Sequence, residues 1–188
     1  MAILKYTASL DNTIVNAMQE NLTTRGTGAN CGQADVIEVY SIYGRAPMAT
    51  SSATSGSQGL SRILIQFPIT DITADRASKK IPASGSVSFY LKLFNAATSK
   101  TVPREFALEV LPISQEWEEG LGLDLENYTD LTRGGIGSNW IKATKTSNWT
   151  SSVGAVGGSY LTGADDPRFK QAFATGLEDL EIDISPLV

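Results

Sequence analysis

Aromatic and acidic residues concentrate in one stretch of this chain. Between Gln115 and Trp149 lie all three tryptophans, Trp117, Trp140 and Trp149. The same stretch holds Glu116, Glu118, Glu119, Asp124, Glu126 and Asp130, with glycines at 120, 122, 134, 135 and 137. Sugars stack on indole faces and hydrogen-bond to carboxylates, so Trp117, Glu118, Trp140 and Trp149 are candidates for a surface that recognises a glycan. Calcium takes several oxygen ligands, which the acid run supplies, although not at EF-hand spacing. Asp11, Asn12 and Asp35 form a second, looser group of oxygen ligands. Two carboxylates flanking a glycosidic bond would hydrolyse it, but no spacing here singles out a pair. The competing reading is packing. Tryptophan is usually well buried, so the three indoles could anchor a long crossover loop, or mark a protein contact.

Other chemistries are excluded by composition. The 188 residues contain no histidine and one cysteine, Cys31. A Ser-His-Asp triad, a Cys-His dyad and a histidine general base are therefore absent. A histidine-ligated metal centre, a thiolate cage and an internal disulfide are absent for the same reason. The run Gly26 to Gly32 is not a phosphate-binding loop: it lacks the GxxxxGK[ST] pattern and does not lead into a helix. No G-x-S-x-G elbow occurs. The sequence is read as that of a non-enzymatic protein with no resident cofactor.

Fifteen basic residues face twenty acidic ones, for a net charge of −5. The densest basic cluster, Arg76 to Lys80, is flanked by Asp71 and Asp75, so no basic stripe marks a nucleic-acid partner. No stretch approaches the roughly 18 apolar residues of a membrane span, and no signal peptide is visible. Asn-x-Ser/Thr sites at Asn21, Asn127 and Asn148 are read as chance matches in a chain with 19 serines and 18 threonines.

The elements that must position these residues are strands. From Ser86 to Phe94, Val87, Phe89, Leu91 and Leu93 alternate with Ser86, Ser88, Tyr90 and Lys92, as in a half-buried strand. Phe106, Leu108 and Val110 alternate in a second strand, and Leu180, Ile182 and Ile184 in a third. Ile63, Ile65 and Phe67 mark a fourth, apolar enough to be central. Val36 to Tyr43 is rich in β-formers, and Ile3 to Ser9 and Asn12 to Ala17 read as edge strands. Helical signals are short: a turn or two within Thr70 to Lys80, and Pro167 to Phe173 after the cap-like Asp166. Strands separated by polar loops without long helices predict an all-β fold, an antiparallel β-sandwich of jelly-roll type. The small-residue segments Pro47 to Gly59 and Thr150 to Ser159 read as surface loops of a single domain over residues 1–188.

Taken in order, these segments resemble the DNRLRE-type β-sandwich, a module similar to carbohydrate-binding jelly rolls. Arg62 and Phe67 match its arginine-containing strand, with Pro68 where the family has aspartate. Phe89 to Leu93 match its next strand, Trp117 and Glu118 its W-x-E motif, and Ile182 to Ser185 its late strand. The wording is similar to virion structural proteins of tailed bacteriophages. The resemblance implies a capsid decoration, neck or tail adaptor, or fibre-anchoring protein, assembled in the host cytoplasm and carried on the virion. Its partners would be other virion proteins and copies of itself; the alternative is a module that recognises a host surface glycan. The family continues past the late strand, whereas this chain stops at Val188. The resemblance therefore implies that a partner or a longer chain completes the sheet, with Ile184, Pro186, Leu187 and Val188 at an assembly interface.

Overall fold

The computed structural model describes residues 3–17, 19, 24–44, 57–82, 85–99, 101–123, 136–150, 157–160 and 169–188. The acids Asp124, Glu126 and Asp130, the glycosylation-type sites Asn21 and Asn127, the helix start at Pro167 and most of both small-residue loops lie outside the described residues.

The elements run β1 (Leu10–Asn16), β2 (Ser41–Gly44), β3 (Ser57–Gln66), α1 (Ile69–Ala77), β4 (Tyr90–Leu93), β5 (Phe106–Glu109), β6 (Lys170–Phe173) and β7 (Leu180–Asp183). A 3-10 turn follows at Ser185–Leu187. All the strand pairings are antiparallel, in a three-stranded sheet ordered β1-β3-β2 and two-stranded pairs β4-β7 and β5-β6. Among the described residues the fold is therefore all-β with one helix, and its sheets are small. The chain divides into two compact units. Unit 1 comprises Met1–Pro68 and Ile113–Ser159, and unit 2 comprises Ile69–Pro112 and Tyr160–Val188.

In unit 1, β3 is the central strand, in keeping with its apolar run. Leu64 on β3 and Ile14 on β1 join Trp117, Trp140, Trp149 and Ala143 in one buried cluster, against which Leu10, Leu60 and Ile113 pack. Strand β1 ends the ladder, yet Asn12, Thr13, Ile14 and Val15 are all buried. Its far side is covered by the turn at Asn30, which bridges Ile14. Residues 3–8 are not a strand: Ile3 is 81% exposed, and the ladder begins beyond them, where Ser9 N–H donates to Gln66 O at 2.8 Å. Only the end of Val36 to Tyr43 enters a strand. Before it, hydroxyls stand in for a ladder partner: Thr13 Oγ1 accepts from Glu38 N–H at 2.9 Å, and Ser61 Oγ accepts from Tyr40 N–H at 2.7 Å.

In unit 2, α1 carries Asp71 in its first turn and Arg76 in its last, each complementing the helix dipole. It closes with Lys79 in the left-handed region at φ 60°. Lys80 N–H donates to Asp75 O at 3.0 Å and Lys79 N–H to Arg76 O at 3.1 Å, the Schellman pattern. Strand β4 pairs Leu91 with Ile182 and Leu93 with Leu180 on β7. The helix expected over Pro167 to Phe173 is corrected: residues 170–173 are strand β6. Phe173 pairs with Phe106, and their rings stack at 4.8 Å with planes 1° apart. Pairing with β5 buries Phe173, which outweighs a short local helix signal.

Strands β6 and β7 run side by side without a backbone ladder between them. The Gln171 side chain fills the gap. Its Nε2 donates to Asp179 O at 2.7 Å, and its Oε1 accepts from Glu181 N–H at 2.7 Å. The amide does what an opposing peptide unit would do, so β4, β7, β6 and β5 follow one another across unit 2.

Candidate functional site

The aromatic-plus-acid region is built inward. Trp117, Trp140 and Trp149 are 8%, 2% and 5% exposed, so none presents an indole face to solvent as sugar stacking needs. Of the two readings of these tryptophans, packing is the one that fits: the rings close the unit 1 core over β1 and β3, and the candidate recognition surface at Trp117, Trp140 and Trp149 is not exposed. Polar contacts orient them. Trp149 Nε1 donates to Asn139 O at 2.8 Å. The Arg62 guanidinium lies over the Trp140 ring, 4.8 Å from its centroid, while Nη1 donates to Gly157 O at 2.6 Å. Gly157 in turn donates to Trp140 O at 2.7 Å, so Arg62 holds both a ring and the loop beside it.

Two of the carboxylates are likewise occupied. Glu118 Oε2 accepts from the Lys145 N–H at 2.7 Å and the Gly137 N–H at 3.3 Å. Glu119 Oε1 accepts from Asp11 N–H at 2.9 Å. These acids cap backbone N–H groups. Among the described residues, no three of histidine, cysteine, aspartate and glutamate gather closely enough to hold a metal ion. Cys31 is buried, and its backbone N–H donates to Asn12 Oδ1 at 2.9 Å.

Sequence reasoning passed over a buried polar knot between these elements. Asn12 Nδ2 donates to Ser138 O at 3.0 Å and Ser138 Oγ at 2.9 Å. Asn30 Oδ1 accepts from Gly122 N–H at 3.0 Å. A Cβ added to Gly120, Gly122 or Gly137 would collide with Asn30, or with Gly120 itself. The glycines at 120, 122 and 137 are thus explained by close approach to one buried asparagine. Their clustering was visible in the sequence, but its cause was not.

In unit 2 the carboxylates also serve the backbone. Glu178 accepts from the N–H groups of Ala174 and Thr175 through Oε1, at 3.1 and 2.9 Å, and from Leu177 through Oε2 at 3.0 Å. Its carboxyl is pulled down from about 4.5 to about 2, chiefly by the bond from the Thr175 backbone. Asp183 is lowered by the Ser185 hydroxyl and N–H. The C-terminal residues cap the β4-β7 pair: Ile184 N–H donates to Phe89 O at 2.8 Å, and Ser185 Oγ accepts from Phe89 N–H at 2.7 Å. Ile184 and Leu187 are half-buried, and Pro186 and Val188 exposed. Among the described residues of unit 2, the large apolar groups left outside are Ile69, Tyr90, Phe94, Leu177 and Val188.

No family model matches the chain, and comparison with curated proteins and with solved structures found no match to either. Among the described residues, no helix is long and apolar enough to cross a membrane.

Proposed function

We propose that this chain is a non-enzymatic structural component of a tailed-phage virion, a capsid decoration, neck or tail adaptor, or fibre anchor acting through protein–protein contacts. The observation that carries the reading is the surface of unit 2. Its strands are short, and it leaves Phe94 82% and Leu177 66% exposed. Large apolar side chains at the border of a small sheet are groups that a neighbour covers. Three carboxylates add support, since Glu118, Glu119 and Glu178 are spent on backbone N–H groups. The proposal includes the finer fold, a jelly-roll-like β-sandwich, which the antiparallel pairings and the place of Arg62 on a central strand favour. It also includes assembly in the host cytoplasm and residence on the particle.

The test is proteomic. Particles purified from the source culture should contain the chain at a fixed ratio to the major capsid protein. Its presence in the lysate and absence from purified particles would overturn the reading. The glycan-recognition alternative has lost its stacking faces, since all three indoles are packed in the core.

A further inference from the structure

Strand β4 has an open edge whose sequence is complementary to itself. Ile184 N–H donates to Phe89 O, which makes Phe89–Ile184 a hydrogen-bonded pair. Alternation along the antiparallel ladder then makes Leu91–Ile182 and Leu93–Leu180 hydrogen-bonded pairs as well. The N–H and C=O groups of Tyr90 and Lys92 therefore point away from β7, and among the described residues no strand lies against them. Edge strands are often guarded by a lysine. Here Lys92 Nζ is drawn back over the sheet to Glu181 at 2.9 Å.

We propose that the β4 edge pairs antiparallel with the β4 edge of a second copy of this chain, about a two-fold axis at Leu91. The outward groups of Tyr90 would exchange hydrogen bonds with those of Lys92 in the partner copy, and the reverse. On the core side this register sets Leu91 against its counterpart, and Phe89 against Leu93. On the solvent side it sets Tyr90, 53% exposed, against Lys92, where a ring meets an aliphatic stem and a cation, and Phe94 against Ser88. No like charges face one another. Sliding the pairing by one residue along each strand, to an axis at Lys92, would put the two lysines opposite each other. The same contact covers Phe94 and continues toward Leu177, because Asn95 ties the two segments together through Gly176 O at 2.8 Å and Asp179 Oδ1 at 2.8 Å. An isologous pairing of this kind closes at two copies. The inference goes beyond the virion reading and stands on unit 2 alone.

The experiment is sedimentation velocity and amide hydrogen exchange on the full chain, over a concentration series up to about 1 mM. The expected result is a monomer–dimer equilibrium, with the Tyr90 and Lys92 amides gaining protection as the dimer forms. Register is tested at an exposed site that tolerates charge. Tyr90→Lys faces Lys92 twice in each dimer and should weaken association roughly tenfold, whereas Tyr90→Glu should strengthen it. A chain that stays monomeric throughout, or a dimer indifferent to both substitutions, would overturn the proposal. So would protection of these amides only in assembled particles, which would assign the edge to a different protein. Absence from particles with the dimer intact would sink the virion reading alone.

Discussion

Replacing Gly122 with alanine should cost unit 1 about 3 kcal/mol. The new Cβ would fall on the carbonyl oxygen of Asn30, a backbone atom that cannot swing aside. To make room, the segment must retreat from Asn30. Retreat strains two buried bonds, Gly122 N–H to Asn30 Oδ1 at 3.0 Å and Gln33 N–H to Gly122 O at 2.8 Å. Overpacking a tight site costs about 1–3 kcal/mol, and leaving one buried group unpaired adds about 1–3 kcal/mol. Urea denaturation followed by tryptophan fluorescence reads the effect, because all three tryptophans lie in unit 1. With a slope of about 1.5 kcal/mol per M, the midpoint should fall by about 2 M. Gly85→Ala is the control. Gly85 has φ 91° and open space around it, so only backbone strain of about 1 kcal/mol is at stake, read by circular dichroism. The account of the polar knot is wrong if Gly122→Ala costs no more than Gly85→Ala.

Three further outcomes are expected. Gln171→Ala should destabilise unit 2 by about 1–2 kcal/mol in a thermal melt, since two hydrogen bonds between β6 and β7 disappear; no change would mean the strands hold without the amide. The folded-state pKa of Glu178 is depressed to about 2, so its contribution is complete above the ordinary value near 4.5 and is lost as pH falls from there toward 2. Glu178→Gln should flatten that part of an acid titration of stability, and an unaltered slope would count against the cap. Lys79→Gly should stabilise α1 by about 0.5–1 kcal/mol, because glycine takes the left-handed φ of 60° without a Cβ penalty; a loss of stability would refute the strain assigned there.

How much of the molecule was legible in its sequence depends on the element. Alternation located β4, β5 and β7 and their inward faces, because a strand whose opposite sides meet core and water writes that difference into every second residue. The edge strand read over Asn12 to Ala17 is there, as β1, but alternation did not show its inward face, since Asn12 and Thr13 are buried as deeply as Ile14 and Val15. Polar residues inside the core look like surface residues until the knot that satisfies them is known. It failed also at residues 3–8, whose β-formers meet no partner strand, and at β6, where Phe106 supplied what local sequence did not.

The candidate site divides the same way. Residue types alone removed histidine chemistry and thiolate cages, since an absent side chain cannot be restored by folding. They also placed tryptophans, acids and glycines together in one stretch. Whether those indoles faced water or the core was a tertiary matter, decided by the apolar area of β1 and β3 that they cover. Whether the carboxylates were free was decided by which backbone N–H groups the loops brought within reach. The open edge at Tyr90 and Lys92 was likewise invisible beforehand. Alternation says which way side chains point, but only the partner strand fixes which way the N–H and C=O groups do.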